Sequence, residues 1–415
     1  MNCRAAIRGS LLVLFVVTLP VVAAAQNLLV NPDFDRDLAG WTSVPPSAAT
    51  WDAPEAAARV VANTDQVTLR QCVSVTPGVN HDLIVRIRVP EGQSGTGHAF
   101  AGIHYFAGPN CTGETRQVAT TAAGVTPGAD WHVRTLINRP SIGGDAMSAN
   151  VDLYVQLLTG ASFTALFDRI QFGPTGAFSK RLVIPAAASI TGANNSAFRS
   201  DLWLVNQSAT NTIPVKLTLH CYANSACTTV ERDATLFPGR SVEYIDIVTS
   251  LFGQSQNAGA IEIRWESYLG EIAATSRLYS PASGPSYGFA MQARPITAAL
   301  RNTIFPGLGW QGGILQFGFR TNIGFYNPNS TPASVTVSLY RSDGTLLGQL
   351  PTTVPPRTPQ QINSLFVAVG AAQVETTDAY ARVQSDIGIF SYVSILDNAT
   401  NDASYIEGIL DTPNP

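Results

Sequence analysis

The stretch Asn27-Leu28-Leu29-Val30-Asn31-Pro32-Asp33-Phe34-Asp35, followed by Gly40-Trp41, decides how this chain is read. It begins where the mature protein is expected to begin. Ahead of it, Arg4 and Arg8 precede an apolar run from Leu11 to Val22, and Ala23-Ala24-Ala25 supplies the small residues that a signal peptidase reads. Residues 1–25 are therefore read as a Sec-type signal peptide cleaved after Ala25. The apolar run is shorter than the roughly 20 residues of a membrane-spanning helix. Cys3 lies before the run, so it is no lipid-attachment cysteine, and no anchoring tail is expected at Leu410–Pro415. The expected location is secreted, periplasmic or cell-surface.

Composition narrows the fold class. Charged residues make up 13% of the chain, against 34 Gly and 26 Pro. Low charge, frequent turn residues and abundant Val, Thr, Ser and Ala predict an all-β protein. Helical periodicity is absent over any long stretch. A mature length of about 390 residues allows two to four domains, each able to bury a core. The formal charge of −4 comes without basic clusters, which argues against nucleic acid and anionic membrane as partners.

After removal of Cys3, four cysteines are left: Cys72, Cys111, Cys221 and Cys227. An even number in an exported chain predicts two disulfides, for which three pairings exist. Cys72–Cys111 and Cys221–Cys227 are favoured because each pair then stays within one domain. A zinc site at Cys221 and Cys227 would need more ligands than the neighbouring His220 supplies.

Several segments alternate like strands: Val67–Val75, His81–Val89, Trp131–Leu136, Val151–Leu157 and Phe163–Ile170. With the opening "N-L-L-x-N-x-x-F-[DE]…G-W", these segments resemble, in order, the carbohydrate-binding modules with the galactose-binding-like jelly-roll fold. The resemblance covers about the first third of the chain, residues 26–173. It implies that Asn27–Asp35 forms the first strand and that Trp41 and Trp131 have core roles. It also implies a structural Ca²⁺ where an acid after the first-strand Phe meets an acid of the last strand. Those positions are Asp35 and Asp168, and hard oxygen ligands suit this ion.

Beyond a linker at residues 174–180, the chain repeats itself. Phe198-Arg199-Ser200-Asp201-Leu202-Trp203-Leu204-Val205-Asn206 matches Phe319-Arg320-Thr321-Asn322-Ile323-Gly324-Phe325-Tyr326-Asn327. Val215–Leu219 matches Val335–Leu339, Pro238-Gly239-Arg240 matches Pro355-Pro356-Arg357, and Leu251-Phe252 matches Leu365-Phe366. Ala274–Tyr279 corresponds to Tyr392–Asp397. The period suits a whole domain rather than a solenoid unit. The expected architecture is thus a jelly-roll β-sandwich followed by two homologous Ig-like β-sandwich domains, at residues 181–294 and 295–415. The pair resembles tandem modules of secreted bacterial proteins without a known active residue. The duplicated Phe-Arg-[ST]-[DN] is read as scaffold, its arginine pairing with an acid of its own domain such as Asp246 or Asp397.

Catalytic patterns are scarce. Gly284-Pro285-Ser286-Tyr287-Gly288 matches G-x-S-x-G, but a turn surrounds it and no His follows it. His81, His98, His104 and His132 show no metal-ligand spacing. Sugar binding needs exposed rings and polar side chains beside them. Trp51, His104, Tyr105, Phe106 and Trp131 are candidates, and the site is placed at Trp51, His104 and Tyr105. The leading expectation is a non-catalytic exported protein whose first domain binds a polysaccharide or glycan. The alternatives are a structural or adhesive surface protein without sugar binding, and a secreted enzyme of unrecognised type.

Overall fold

Strands of period two present one face to a core and the other outward, and that alternation organises both units of the protein. The computed structural model describes residues 27–140, 144–192, 196–222, 227–280, 286–311, 318–400 and 402–412. Two compact units meet at Phe178/Ser179. The expected signal peptide lies outside the described residues.

The first unit has ten strands: β1 (Thr42–Val44), β2 (Ala49–Asp52), β3 (Ala57–Ala62), β4 (Gln66–Ser74), β5 (His81–Arg88), β6 (Gly95–Phe106), β7 (Thr115–Thr120), β8 (His132–Arg139), β9 (Ser148–Gly160) and β10 (Phe163–Pro174). They form two antiparallel five-stranded sheets, β1-β4-β9-β6-β7 and β2-β3-β10-β5-β8. The chain crosses between the sheets in the order of a jelly roll. Ala149, Val151, Leu153 and Val155 of β9 face Leu83, Val85 and Ile87 of β5 across one buried core. Each fully buried side chain of the Val, Leu or Phe type stabilises by about 1.5–3 kcal/mol.

The opening stretch is not a strand. Residues 27–41 run as turns and bends, and the first strand starts at Thr42. The segment instead ties the two sheets together. Asn27 Nδ2 donates to the Ile170 carbonyl (2.7 Å), and Asn27 Oδ1 accepts from the Phe172 N–H (3.0 Å). On the other sheet, Gln71 Oε1 accepts from the Val30 N–H (2.7 Å) and Gln71 Nε2 donates to the Val30 carbonyl (2.9 Å). Phe34 and Trp41 are both buried, their rings 5.3 Å apart. Side chains thus meet part of the bonding a ladder would supply, beside two backbone bonds, Leu28 N–H to the Phe172 carbonyl (2.8 Å) and Ile170 N–H to the Pro32 carbonyl (2.9 Å).

The second unit holds two sandwiches of one topology. The first comprises β11 (Ser179–Thr191), β12 (Ala197–Asn206), β13 (Ile213–Cys221), β14 (Val230–Leu236), β15 (Ser241–Tyr244), α1 (Ile247–Ser250), β16 (Asn257–Glu266), β17 (Ile272–Ser280), β18 (Tyr287–Gln292) and β19 (Arg294–Pro295). The second comprises β20 (Leu300–Trp310), β21 (Phe319–Asn327), β22 (Ala333–Tyr340), β23 (Leu346–Val354), β24 (Thr358–Ile362), α2 (Leu365–Ala368), β25 (Thr376–Asp397), β26 (Ala403–Glu407) and β27 (Ile409–Leu410). Each pairing recurs: β14-β13-β16-β11 is echoed by β23-β22-β25-β20, and β15-β12-β17-β18 by β24-β21-β25-β26. The single strand β25 does the work of β16 and β17, giving its first half to one sheet and its second half to the other.

The duplicated motif is a polar staple. Ser200 Oγ accepts from the Ala188 N–H (2.8 Å), and Thr321 Oγ1 accepts from the Gly309 N–H (3.2 Å). Asp201 Oδ1 accepts from the Asp246 N–H (2.9 Å), and Asn322 Oδ1 accepts from the Ser364 N–H (3.0 Å). Asp246 and Ser364 both lie at positive φ, one residue before the short helix. The first two sequence matches therefore hold in register. The later ones shift. Ile247 and Val248 are the buried counterparts of Leu365 and Phe366, so Leu251-Phe252 is not. Gly239, at positive φ and bonded to the Ser208 carbonyl, answers to Arg357 on Asn329. Arg199 faces Tyr279 as Arg320 faces Leu396, so Tyr279 answers to Leu396 rather than Asp397.

The two sandwiches pack through Val183, Ala260, Tyr326 and Phe390. Glu262, buried at this seam, accepts from Arg181 Nε (2.7 Å) and Nη2 (2.5 Å) and from the Tyr326 hydroxyl (3.4 Å). Burial raises the Glu262 carboxyl, but the hydrogen bonds and charge of Arg181 outweigh it, so the net shift is downward. Both expected disulfides are present, with Cα separations of 6.0 Å for Cys72–Cys111 and 5.7 Å for Cys221–Cys227.

The staple makes a prediction that tests the duplication. Asp201→Ala and Asn322→Ala each strip the acceptor from a buried turn N–H, at a cost of about 1–3 kcal/mol. Urea unfolding should show a loss of that size for each. A neutral result for either would remove it from the scaffold.

Candidate ligand-binding face

The outer face of the sheet β1-β4-β9-β6-β7 gathers the polar and aromatic side chains that its alternation turns away from the core. Across one row stand Arg70, Asp152, Gly102 and Thr120; on either side run Thr68, Tyr154 and Phe100, and Cys72, Asn150, His104 and Val118. Tyr154 and His104 are joined at 2.8 Å between hydroxyl and Nε2. Asp152 is fully covered, with Arg70 Nε at 3.0 Å and His104 Nε2 at 3.8 Å. Burial raises the Asp152 carboxyl more than Arg70 and His104 lower it. The Tyr154 hydroxyl is likewise pushed well up by burial, with the Asp152 charge adding to it.

Gly102 shapes this row. A Cβ there would lie 3.1 Å from a Tyr154 ring carbon and 3.1 Å from the Ala119 carbonyl, so the bare backbone lets the tyrosine lean over the strand. Tyr154 then stacks on Phe100, with ring centroids 4.8 Å apart. Phe100, His104 and Phe106 are half-buried, each offering part of a ring outward. The Cys72–Cys111 bridge fixes β4 to the β6–β7 turn at one end of the face.

His104 therefore belongs to a polar and aromatic cluster, as expected, but its expected companions do not. Tyr105 is 0% exposed and its hydroxyl donates to the Arg139 carbonyl (3.1 Å). It follows His104 on one strand, so the two must face opposite ways, and Tyr105 cannot stack on a ligand. Trp51 is 38% exposed and lies on β2, in the other sheet, with its Nε1–H donated to the Phe34 carbonyl (2.7 Å). It forms no site with His104. Arg70, Phe100 and Tyr154 were not singled out from sequence. The signal was available in the parity of Asn150, Asp152, Tyr154 and Gln156 on an apolar strand, and in His98, Phe100, Gly102 and His104.

Asp168 sits on β10 with Arg86 Nη1 at 3.5 Å and Arg169 Nε at 3.7 Å. Its carboxyl is raised to about 6, by burial first; the Arg169 N–H and both arginines pull it down, and Asp33 pushes it up. Asp33 is itself raised by burial and then by Asp35. The acid whose charge Asp168 feels most is thus Asp33, with Asp35 behind it. Among the described residues, no three acid, His or Cys side chains come together as a metal cage. On the same sheet, Trp131 is packed under Arg86 and Arg88, at 5.0 and 5.3 Å.

The remaining sequence candidates are placed as follows. His81 is buried against Phe172 (5.2 Å), and burial lowers it. Ser286 accepts from Arg277 Nη2 (2.9 Å); Gly284 and Pro285 of the G-x-S-x-G match lie outside the described residues. Arg199 pairs with Asp246 (3.2 Å), whereas Arg320 bonds Asn398 rather than Asp397.

No family model matches this chain, and no curated protein does. Among solved structures, it is similar to Thermotoga maritima 1070 at 12% identity over 28% of this chain and 97% of that one, with a TM-score of 0.23. It is also similar to the N-terminal CBM22-1–CBM22-2 tandem domain of Xyn10C from Paenibacillus barcinonensis, at 12% identity over 59% and 90%, TM-score 0.23. The BSP domain of a biofilm associated protein matches at 9% identity over 94% and 69%, TM-score 0.16. At such scores no argument rests on these likenesses.

Asp168 carries a pH prediction. Its folded value of about 6 lies above the ordinary 3.8, so between these values the folded state holds more proton than the unfolded one. Stability from this group is present below 3.8 and is lost as pH rises to about 6. Asp168→Asn keeps an acceptor and removes the titration. Its urea midpoint relative to wild type should therefore rise from acid to neutral pH and level off above about 6. A difference flat with pH would contradict the shift.

Proposed function

We propose that this chain is an exported, non-catalytic protein whose first unit binds a polysaccharide or glycan on the outer face of the β1-β4-β9-β6-β7 sheet. One observation carries the reading: His104, Tyr154, Arg70 and Asp152 form a braced polar group beside the part-exposed rings of Phe100 and Phe106. Such a surface suits a sugar. Rings take the pyranose face, while the imidazole and guanidinium meet hydroxyls. Asp152 is a positioning residue here, since it is covered and acts by holding Arg70 and His104. The two disulfides accord with an oxidising compartment. No helix among the described residues is long and apolar enough to cross a membrane.

The test is isothermal titration of the full chain against a panel of neutral and acidic oligosaccharides, with Phe100→Ala and His104→Ala beside wild type. Binding by wild type and at least about tenfold weaker binding by both variants is expected, the scale of a lost stacking or polar contact. Silence across the panel would leave a structural or adhesive role as the better account. Variants that bind as wild type would move the site off this face.

A calcium ion is the second part of the proposal, favoured by the push of the Asp33 charge on Asp168 and of Asp35 on Asp33. Asp35 and Asp168 would hold it, together with Asp33. Arg86 and Arg169 already offset part of the charge, so the ion would complete the neutralisation. Ca²⁺ should then raise the melting temperature and EDTA lower it, and Asp168→Asn should abolish the difference. Identical curves with and without the ion would leave the arginines as the sole counter-charge.

A further inference from the structure

The two sandwiches of the second unit enclose a cleft of about 810 Å³, and its chemistry is set by a difference between the copies. In the first copy, Arg199 is neutralised by Asp246 at 3.2 Å. In the second copy, Arg320 holds the equivalent place and Ser364 replaces the acid, as the shared staple shows. Arg320 is 8% exposed and lines the cleft. Its partner is the Asn398 amide oxygen, and no carboxylate of the described residues pairs with it. It is the one charged residue among the described residues lining the cleft.

A buried guanidinium with five N–H donors and one amide partner is a costly arrangement unless something else meets it. A carboxylate is the matching group, because its two oxygens fit the planar fork. The cleft adds a second polar group. Asn363, on the Arg320 side of the sheet, also lines it, and its Oδ1 accepts from Gln361 Nε2 (2.8 Å). Its side-chain amide suits a hydroxyl. The remaining wall offers the rings of Phe198 and Phe289 and the amide of Gln361. Its volume lies in the range of small-ligand sites.

We propose that this cleft binds a uronic-acid-bearing oligosaccharide, with the carboxylate on Arg320 and a hydroxyl on the Asn363 amide. The site stands apart from the outer face of the first unit and does not depend on it. Carboxylate and hydroxyl donors on one compact body are what separate this ligand from a fatty acid, which lacks the second group, and from a neutral sugar, which lacks the first.

The experiment is isothermal titration of the full chain with trigalacturonate, and with its methyl ester as the uncharged match. Wild type should bind the acid, and the ester at least about tenfold more weakly, the scale of one charge-assisted pair. Ser364→Asp transfers the first copy's carboxylate into the second. The first copy already carries Asp at this positive-φ position, so the variant should keep the wild-type melting curve and lose binding by a similar factor. Arg320→Gln should do the same. Arg70→Ala and His104→Ala should leave trigalacturonate binding in place. The proposal is overturned if wild type does not bind trigalacturonate, if the ester binds equally, or if Ser364→Asp binds as wild type. Loss of binding in Arg70→Ala or His104→Ala would assign the heat to the first unit and overturn it as well.

Discussion

Successive side chains of a strand point to opposite faces, and this single constraint governs both the core and the surface of the protein. On β9 it sends Ala149, Val151, Leu153 and Val155 inward, and so delivers Asn150, Asp152 and Tyr154 outward with no further choice. A slip of one residue would bury Asp152 in the apolar core and expose four aliphatic side chains. The core thus fixes the register, and the register fixes which polar groups meet on the outer face. Arg70 reaches Asp152 because Leu69 and Leu153 pack on the other side of the same two strands.

The second unit shows what duplication preserves and what it releases. The staple from strand to turn is kept in both copies: a hydroxyl at Ser200 or Thr321, and a side-chain oxygen at Asp201 or Asn322. Asp and Asn are interchangeable there because the task is to accept one N–H. Elsewhere the copies part. Trp203 of the first copy answers to Gly324, where a Cβ would lie 2.1 Å from the Tyr392 ring. The missing side chain makes room for that tyrosine, whose hydroxyl donates to Gln361 (3.1 Å). Scaffold positions thus tolerate only like chemistry, while positions facing the other sandwich have changed size and charge.

Fold class was legible because strand alternation, turn residues and paired cysteines each leave a local trace. The duplication and both disulfides follow from such traces, whereas the jelly roll was implied by the resemblance of the first third to carbohydrate-binding modules. The role of Asn27–Trp41 was not, since a segment held by Asn27 and Gln71 side chains looks, in sequence, like a strand held by a ladder. Register within the repeat was half legible. Strands β12 and β13 carry distinctive residues, whereas the turn at Gly239 and Arg357 shares a backbone conformation but no side chain. The candidate site was legible at His104 and Phe106. Tyr105 fails on parity, which the sequence contained, and Trp51 fails on sheet membership, which depends on pairings far apart in the chain.

Charge is scarce in this protein, which makes its placement informative. Several arginines drawn under the surface have an acid beside them: Arg88 has Glu55 at 2.7 Å, Arg86 has Asp168 at 3.5 Å, and Arg181 has Glu262 at 2.5 Å. The reason is energetic, since an ion leaving water is tolerated only when another charge and hydrogen bonds replace the solvent. Arg320, more deeply buried than these, has no such acid, while its twin Arg199 has Asp246. A scaffold explanation would require the arginine to be kept for hydrogen bonding alone, yet its one amide partner could be met by a neutral side chain at lower desolvation cost. The retained charge and the discarded acid are what the proposed carboxylate ligand would answer.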